Sequence, residues 1–198
     1  MGFTTDYLRE AGLQMEGEGK VLATLRRLAG HLDRLEIPYA VAGALALSHH
    51  GHPRLTVDVD VVLQSTADLE KLGHDVCGKE YSPGKPGTRH LRDRQTRVRI
   101  DFLIAGEYPG DRKPKPIALP DPAVAWEPGD DGVHYLTLEK WIEIKLASGM
   151  TAKGRLKDLA DVQELIKARR LGAEFAERLH PWVQETFRSL VSEPEDET

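Results

Sequence analysis

The chain has 198 residues, enough for one sizeable domain or a domain with a helical appendix, and its net charge of −5 excludes the global basic field of many DNA-binding domains. Apolar residues make up 40% and charged residues 30%, an ordinary globular balance, and the single Cys77 excludes an intrachain disulfide. No apolar run approaches the ~20 residues of a membrane span, and the first twenty residues carry Asp6, Glu10, Glu16 and Glu18 where a signal peptide would be apolar, so the expected location is cytoplasmic.

In chain order, the first dozen residues show no periodicity and are expected to be irregular. Val21, Leu25, Leu28, Leu32 and Leu35 then recur at helical spacing, with Arg26, Arg27, Asp33 and Arg34 over much of the other face. Ile37-Pro38 is expected to end this helix, because proline disfavours helical geometry in the residue before it. Residues 39–42 read as a short buried strand and residues 43–50 as a compact helix of Ala and Leu. A basic turn leads to a second strand, on which Val57, Val59 and Val61 point one way and Asp58 and Asp60 the other. Ser65 or Thr66 caps a helix running to about residue 76. A turn at 82–87 and a basic segment at 88–99 precede the strand 98–104, which sets Val98, Ile100, Phe102 and Ile104 against Arg97, Arg99 and Asp101. Six prolines from Pro109 to Pro128 exclude a helix or an inner strand, leaving an extended connection with one edge strand near Ile117. A turn at 129–132, a short strand at 133–135 and three helices (about 137–148, 153–170 and 173–190) complete the order.

The fold class expected from this order is α+β, a small mixed sheet flanked by helices with a helical C-terminal part. The division is a core over 1–136, a helical part over 137–190 packed on it, and an acidic flexible tail over 191–198. There is no internal repeat.

Two carboxylates on one strand face repel, and in a half-buried strand they are costly unless a cation sits between them. Divalent metal is the usual answer. Together with the Gly43-Ala44 turn, the short helix after it, the Arg54-x-Thr56-x-Asp58-x-Asp60 segment and the later lone Asp101 on a strand, this pattern resembles the DNA polymerase beta-like nucleotidyltransferase superfamily. The match is closest to its small AbiEii-type and MNT-type members and extends over residues 39–166. Ala44 departs from the family's usual Gly or Ser: it keeps the backbone N–H and lacks the hydroxyl.

The resemblance implies a nucleotidyltransferase-type fold and transfer of a nucleoside monophosphate from an NTP to an acceptor hydroxyl, with two Mg2+ ions. Asp58 and Asp60 would hold the metals, and Asp101 would complete the second metal site near the attacking hydroxyl. Gly43, Ala44, Arg54, Thr56 and Lys145 would bind the nucleotide, and Asp158 would belong to a fourth catalytic motif. The acceptor implied is a tRNA, with a cognate antitoxin or toxin as partner. A protein acceptor, an aminoglycoside-like drug, and a fold relative without catalysis that acts as a binding partner stand as alternatives.

Other residues are read from chemistry alone. Lys145 lies on the side of its helix that carries Leu138, Trp141, Ile142 and Leu146, so it must be paired or snorkel to the edge. Asp158 and Asp161 are neighbours on one helical face, in a functional motif or in exposed pairs with Arg155 and Lys157. Arg89, Arg92, Arg94, Arg97 and Arg99 suit a triphosphate or RNA backbone beside Asp101, or a solvated hairpin. His49, His50 and His52 lack a carboxylate or cysteine partner at ligand spacing and read as polar caps. Trp126, Trp141 and Trp182 read as core or interface residues.

Overall fold

The computed structural model describes residues 9–14, 17–85 and 88–191. The acidic tail from residue 192 and the Pro86-Gly87 part of the expected turn lie outside the described residues. Residues 9–14, expected to be irregular, form a helical segment, α1. Its Glu10 carboxylate accepts from the backbone N–H of Lys20 at 2.5 Å, capping the next helix, α2 (Lys20–Arg34), whose own N-cap Gly19 has no side chain to do so. The stop of α2 is set two residues earlier than the proline. Glu36 adopts φ 52°, and the N–H of Ile37 then reaches back to the carbonyl of Leu32 at 2.9 Å, a left-handed helix closure.

Seven strands form one mixed sheet: β1 (Tyr39–Val41), β2 (Asp58–Leu63), β3 (Tyr81–Pro83), β4 (His90–Asp93), β5 (Arg99–Ile104), β6 (Trp126–Pro128) and β7 (His134–Leu136), in the order β3-β4-β5-β2-β1-β7-β6. The β2–β5 and β1–β7 pairs are parallel and the others antiparallel. All three residues of β1 are buried, as a central strand covered on both faces requires. Helices α3 (Gly43–His49) and α4 (Thr66–Val76) follow β1 and β2. Ser65 and Asp68 close a capping box at the start of α4. The C-terminal helices are α5 (Leu138–Thr151), α6 (Leu156–Arg169) and α7 (Pro181–Leu190).

The structure corrects four further expectations. Val57 precedes β2 and is 68% exposed, so the alternating apolar face starts at Val59. Arg97, at φ 66°, belongs to the turn before β5 and not to the Asp101 face. No strand forms at Ile117. That residue and Leu119 are buried core plugs, the prolines around them withhold ladder donors, and the edge strand is β6 instead. The expected last helix is broken into a 3-10 turn (Ala173–Arg178) and α7, because Pro181 is tolerated only in a first helical turn.

The basic segment before β5 folds as a hairpin around Asp93, the one acid within it. Asp93 is fully buried and accepts from Thr24 Oγ1 at 3.0 Å, Arg27 at 2.9 Å, and the backbone N–H groups of Gln95 and Thr96 at 2.8 and 3.1 Å. Burial opposes its ionisation, but these four donors outweigh it and hold its carboxyl below the usual carboxylate range. One carboxylate thus ties α2 to the β4–β5 turn.

Candidate active site

A cleft of about 1490 Å³ opens where β2 and β5 begin, with these strands on one wall and α5 and the start of α6 on the other. Single-ligand pockets run to roughly 1,000 Å³, so this one has room for two substrates. Gly43, Ala44, Arg54, Thr56, Asp58, Asp60, Asp101, Lys145 and Asp158, singled out in the sequence, all line it.

Register brings the aspartates together. Parallel pairing of β2 with β5 sets Asp60 directly beside Asp101, with Asp58 beside Arg99. Thr56 Oγ1 donates to Asp58 Oδ1 at 2.5 Å, and Arg99 donates through Nε and Nη2 to Asp101 Oδ1 at 2.9 and 2.5 Å. Asp60 has no such partner among the described residues. Its carboxyl is pushed up to about 6, first by burial and then by the charges of Asp58 and Asp101, with Lys145 and Arg155 pulling the other way.

Gly43 is packed against that carboxylate. A Cβ at this position would stand 2.0 Å from Asp60 Oδ2, and the backbone is left-handed at φ 60°. Its carbonyl accepts from Trp141 Nε1 at 2.9 Å, so a fully buried core tryptophan holds the start of α3 in place. Gly43→Ala is expected to lose about 1–2 kcal/mol to the left-handed backbone alone and more to the clash. Thermal unfolding checks the first, and displacement of Asp60 is expected to remove activity as well.

On the opposite wall, Lys145 is paired rather than snorkelling. Its Nζ donates to Asp158 Oδ1 at 2.7 Å and to Asp161 Oδ2 at 2.9 Å. Arg54 donates to both oxygens of Asp161 at 2.6 and 2.5 Å, and Ser148 Oγ to Asp158 Oδ2 at 2.7 Å. Both aspartates are buried, which overturns the exposed-helix reading. Arg155 does meet Asp158, at 3.5 Å, whereas Asp161 takes Lys145 and Arg54 in place of Lys157. Burial opposes ionisation of Asp158, yet Lys145, Ser148 and Arg155 together hold its carboxyl below the usual range.

Of the five clustered arginines, Arg89 and Arg99 line the cleft. Arg92 and Arg94 donate instead to the backbone carbonyls of Arg97 and Gly78, both at 2.7 Å. Three contributors escaped the sequence reading. Gln14 of α1 clamps both backbone groups of Thr56 at 2.7 and 3.1 Å, Ser148 fixes Asp158, and Arg112 lines the cleft from the proline-rich connection. None carried a local spacing signal. Their roles arise from contacts between segments distant in sequence.

No protein-family model matches the sequence, and no curated protein matches it significantly. Solved structures do. The chain aligns with ANT(2'')-Ia, crystallised in complex with adenylyl-2''-tobramycin, at a TM-score of 0.53 and 14% identity, covering 84% of this chain and 96% of that one. The solution structure of the same antibiotic-resistance factor gives a TM-score of 0.50 and 14% identity over 82% and 85% of the two chains. JHP933 from Helicobacter pylori aligns at 0.46 and 16% over 84% and 75%. The chain has the nucleotidyltransferase fold. The seven-stranded mixed sheet with its helices is the α+β architecture expected, and no helix among the described residues is long and apolar enough to cross a membrane.

The three aspartates fit hard divalent cations. All donors are carboxylate oxygens, the choice of magnesium, and Asp60 is a half-buried carboxylate, beside two others, that no side-chain or backbone hydrogen bond among the described residues balances. Among the described residues, their oxygens do not all converge within the 4.8 Å that a single ion would need.

Proposed function

We propose that the protein is a magnesium-dependent nucleotidyltransferase that moves a nucleoside monophosphate from an NTP to an acceptor hydroxyl. The observation that carries this reading is the register of β2 and β5, which sets Asp60 beside Asp101 at the cleft floor. When bound, magnesium supplies charge neutralisation of the triphosphate and of the leaving pyrophosphate. Asp58 and Asp60 would hold it from one strand and Asp101 from the next. The bond formed joins the acceptor oxygen to the α-phosphorus, and the bond broken releases pyrophosphate.

The chain's own residues orient the partners. Gly43 and Ala44 present backbone N–H groups at the cleft floor, and Thr56 fixes the Asp58 carboxylate. Lys145, with Arg155 and Lys157 nearby on the same wall, faces the phosphates. Arg54 acts through Asp161, holding the acid that in turn holds Lys145. It is a positioning residue rather than a phosphate ligand. Asp158 has the same standing, because its oxygens are taken by Lys145, Ser148 and Arg155.

The acceptor side points to RNA. Thr88, Arg89, His90 and Arg99 line the same cleft as Asp101, with Arg89 paired to Glu107 and Arg99 to Asp101, and this rim of donors is what supports a phosphate backbone over a polycation. A tRNA acceptor and a cognate antitoxin partner accord with this rim and with the AbiEii-type pattern in the sequence. A second reading, an aminoglycoside acceptor, is favoured by the fold shared with ANT(2'')-Ia. The test is incubation with each α-labelled NTP, magnesium, and either total tRNA or an aminoglycoside panel, with Asp60→Asn alongside. Label on RNA, and only with Asp60 intact, supports the first reading. Label on the drug supports the second. Label on the protein or a co-purifying partner moves the acceptor to a protein side chain, and no label refutes the transferase itself.

A further inference from the structure

A second group of metal-ligating side chains stands at the far end of α3 from Gly43, about 10 Å along a helix of this length. His49 Nε2 lies 3.1 Å from Glu127 Oε1, and His50 Nδ1 lies 3.7 Å from the same oxygen. All three ligand atoms lie within 4.8 Å of one another, the one such group of three among the described residues. A tetrahedral zinc site with bonds of about 2.0–2.2 Å has ligand–ligand edges of about 3.3 Å, close to both observed spacings. The carboxylate that the sequence reading found missing is supplied by β6, 78 residues away from His49.

The orientation of the rings suits ligation. His50 is buried, and its Nε2 donates to the carbonyl of Leu136 at 2.8 Å. Nδ1 is therefore the ring nitrogen left to face the carboxylate of Glu127. One ring nitrogen from each histidine and one carboxylate oxygen thus face a common point.

The surroundings are built as metal sites are. The Leu136 carbonyl fixes the tautomer and orientation of His50, as an outer-shell partner does. The His49 ring is stacked on Tyr135, with centroids 4.3 Å apart and 5° between planes, which holds its rotamer. Glu127 is 41% exposed, leaving a fourth position open to water. Arg169, which donates to the backbone carbonyl of His50 at 3.4 Å, is the cation that opposes an ion here.

We propose that His49, His50 and Glu127 form a zinc-class cation site that staples the C-terminal end of α3 to the edge strand β6. Two imidazoles and one carboxylate select zinc or a similar transition ion over magnesium, so this site is chemically separate from the three aspartates. Its ion would pin the same short helix whose first residue, Gly43, abuts Asp60.

The test uses the full chain stripped with a chelator and titrated with zinc chloride, read by calorimetry and by thermal unfolding. Asp58→Asn/Asp60→Asn is run in parallel to remove the aspartate cleft. One zinc per chain and a rise of several degrees in Tm are expected in both proteins, with no such rise from magnesium in the double variant. Glu127→Gln, on the half-exposed edge strand, is expected to abolish the binding while keeping a metal-free Tm within about 2 °C of the parent, and His49→Gln is expected to abolish it as well, with some loss of metal-free Tm from the stack on Tyr135. Cobalt gives a visible-region absorption that tracks the same variants. Zinc binding that survives both substitutions, that is lost in the aspartate double variant, or that never occurs overturns the proposal.

Discussion

Asp60→Asn is expected to make the metal-free protein more stable while removing nucleotide transfer. The Asp60 carboxyl titrates at about 6 in the folded chain against an ordinary 3.8. A raised acid contributes its full stability below 3.8 and loses it as pH rises through about 6. By pH 7.5 the ionised group costs on the order of 2–3 kcal/mol, because it is largely desolvated and stands among like charges. Asparagine mimics the protonated form and removes that cost. With about 2–4 °C of Tm per kcal/mol for a chain of this size, the variant gains roughly 5–10 °C at pH 7.5. The gain shrinks to near zero at pH 4.

Magnesium is expected to raise the Tm of the parent at pH 7.5 and to leave Asp60→Asn almost unmoved. Transfer falls by at least about a thousandfold in kcat/KM, about 4 kcal/mol of transition-state stabilisation. The opposed signs are the content of the prediction. A residue that only supported the fold would lose stability and activity together.

The Asp58–Asp60 face was legible because strand alternation is a local, period-two property. The helical stripe of α2 was legible for the same kind of reason. What the strands bring together was not local. That Asp101 stands beside Asp60 depends on parallel register between segments some forty residues apart, and no spacing within either strand encodes it. Lys145 was recognisable as a cation that needed a partner, but its partners lie 13 and 16 residues on, in the next helix. His49 and His50 were seen without a carboxylate because Glu127 arrives through a strand pair at the other end of the sheet. The helical segment at 9–14 is too short for periodicity to declare itself, and the break before α7 is set by Pro181, which also passes as an ordinary first-turn residue. The exposed position of Val57 shows the limit of alternation at a strand end, where pairing with a neighbour, and not pattern, decides burial.

Lys145→Met is expected to have the opposite effect on stability from Asp60→Asn. Lys145 balances Asp158 and Asp161, whose side chains are 3% and 10% exposed. Removing one partner of a buried ion pair strands the other charge and typically costs about 3–5 kcal/mol, which is a fall of roughly 10 °C here. Asp161 keeps Arg54, so Asp158 bears most of the loss, with Ser148 and the more distant Arg155 as its remaining partners. A double variant, Lys145→Met/Asp158→Asn, therefore recovers part of that stability, and a urea-unfolding cycle reads the coupling between the two residues directly. Equal losses in the single and double variants would mean that Asp158 is not held by Lys145. Both variants are also expected to transfer poorly, since they remove the cation that faces the phosphates.

The most direct measurement of the central claim is magnesium-dependent release of pyrophosphate from an NTP in the presence of acceptor, compared between the parent and Asp60→Asn at matched fold. The account predicts release by the parent that requires both magnesium and acceptor, and none by a variant that melts higher. Release by Asp60→Asn at the parent's rate, or none by a folded, magnesium-loaded parent across tRNA, protein and aminoglycoside acceptors, would contradict it.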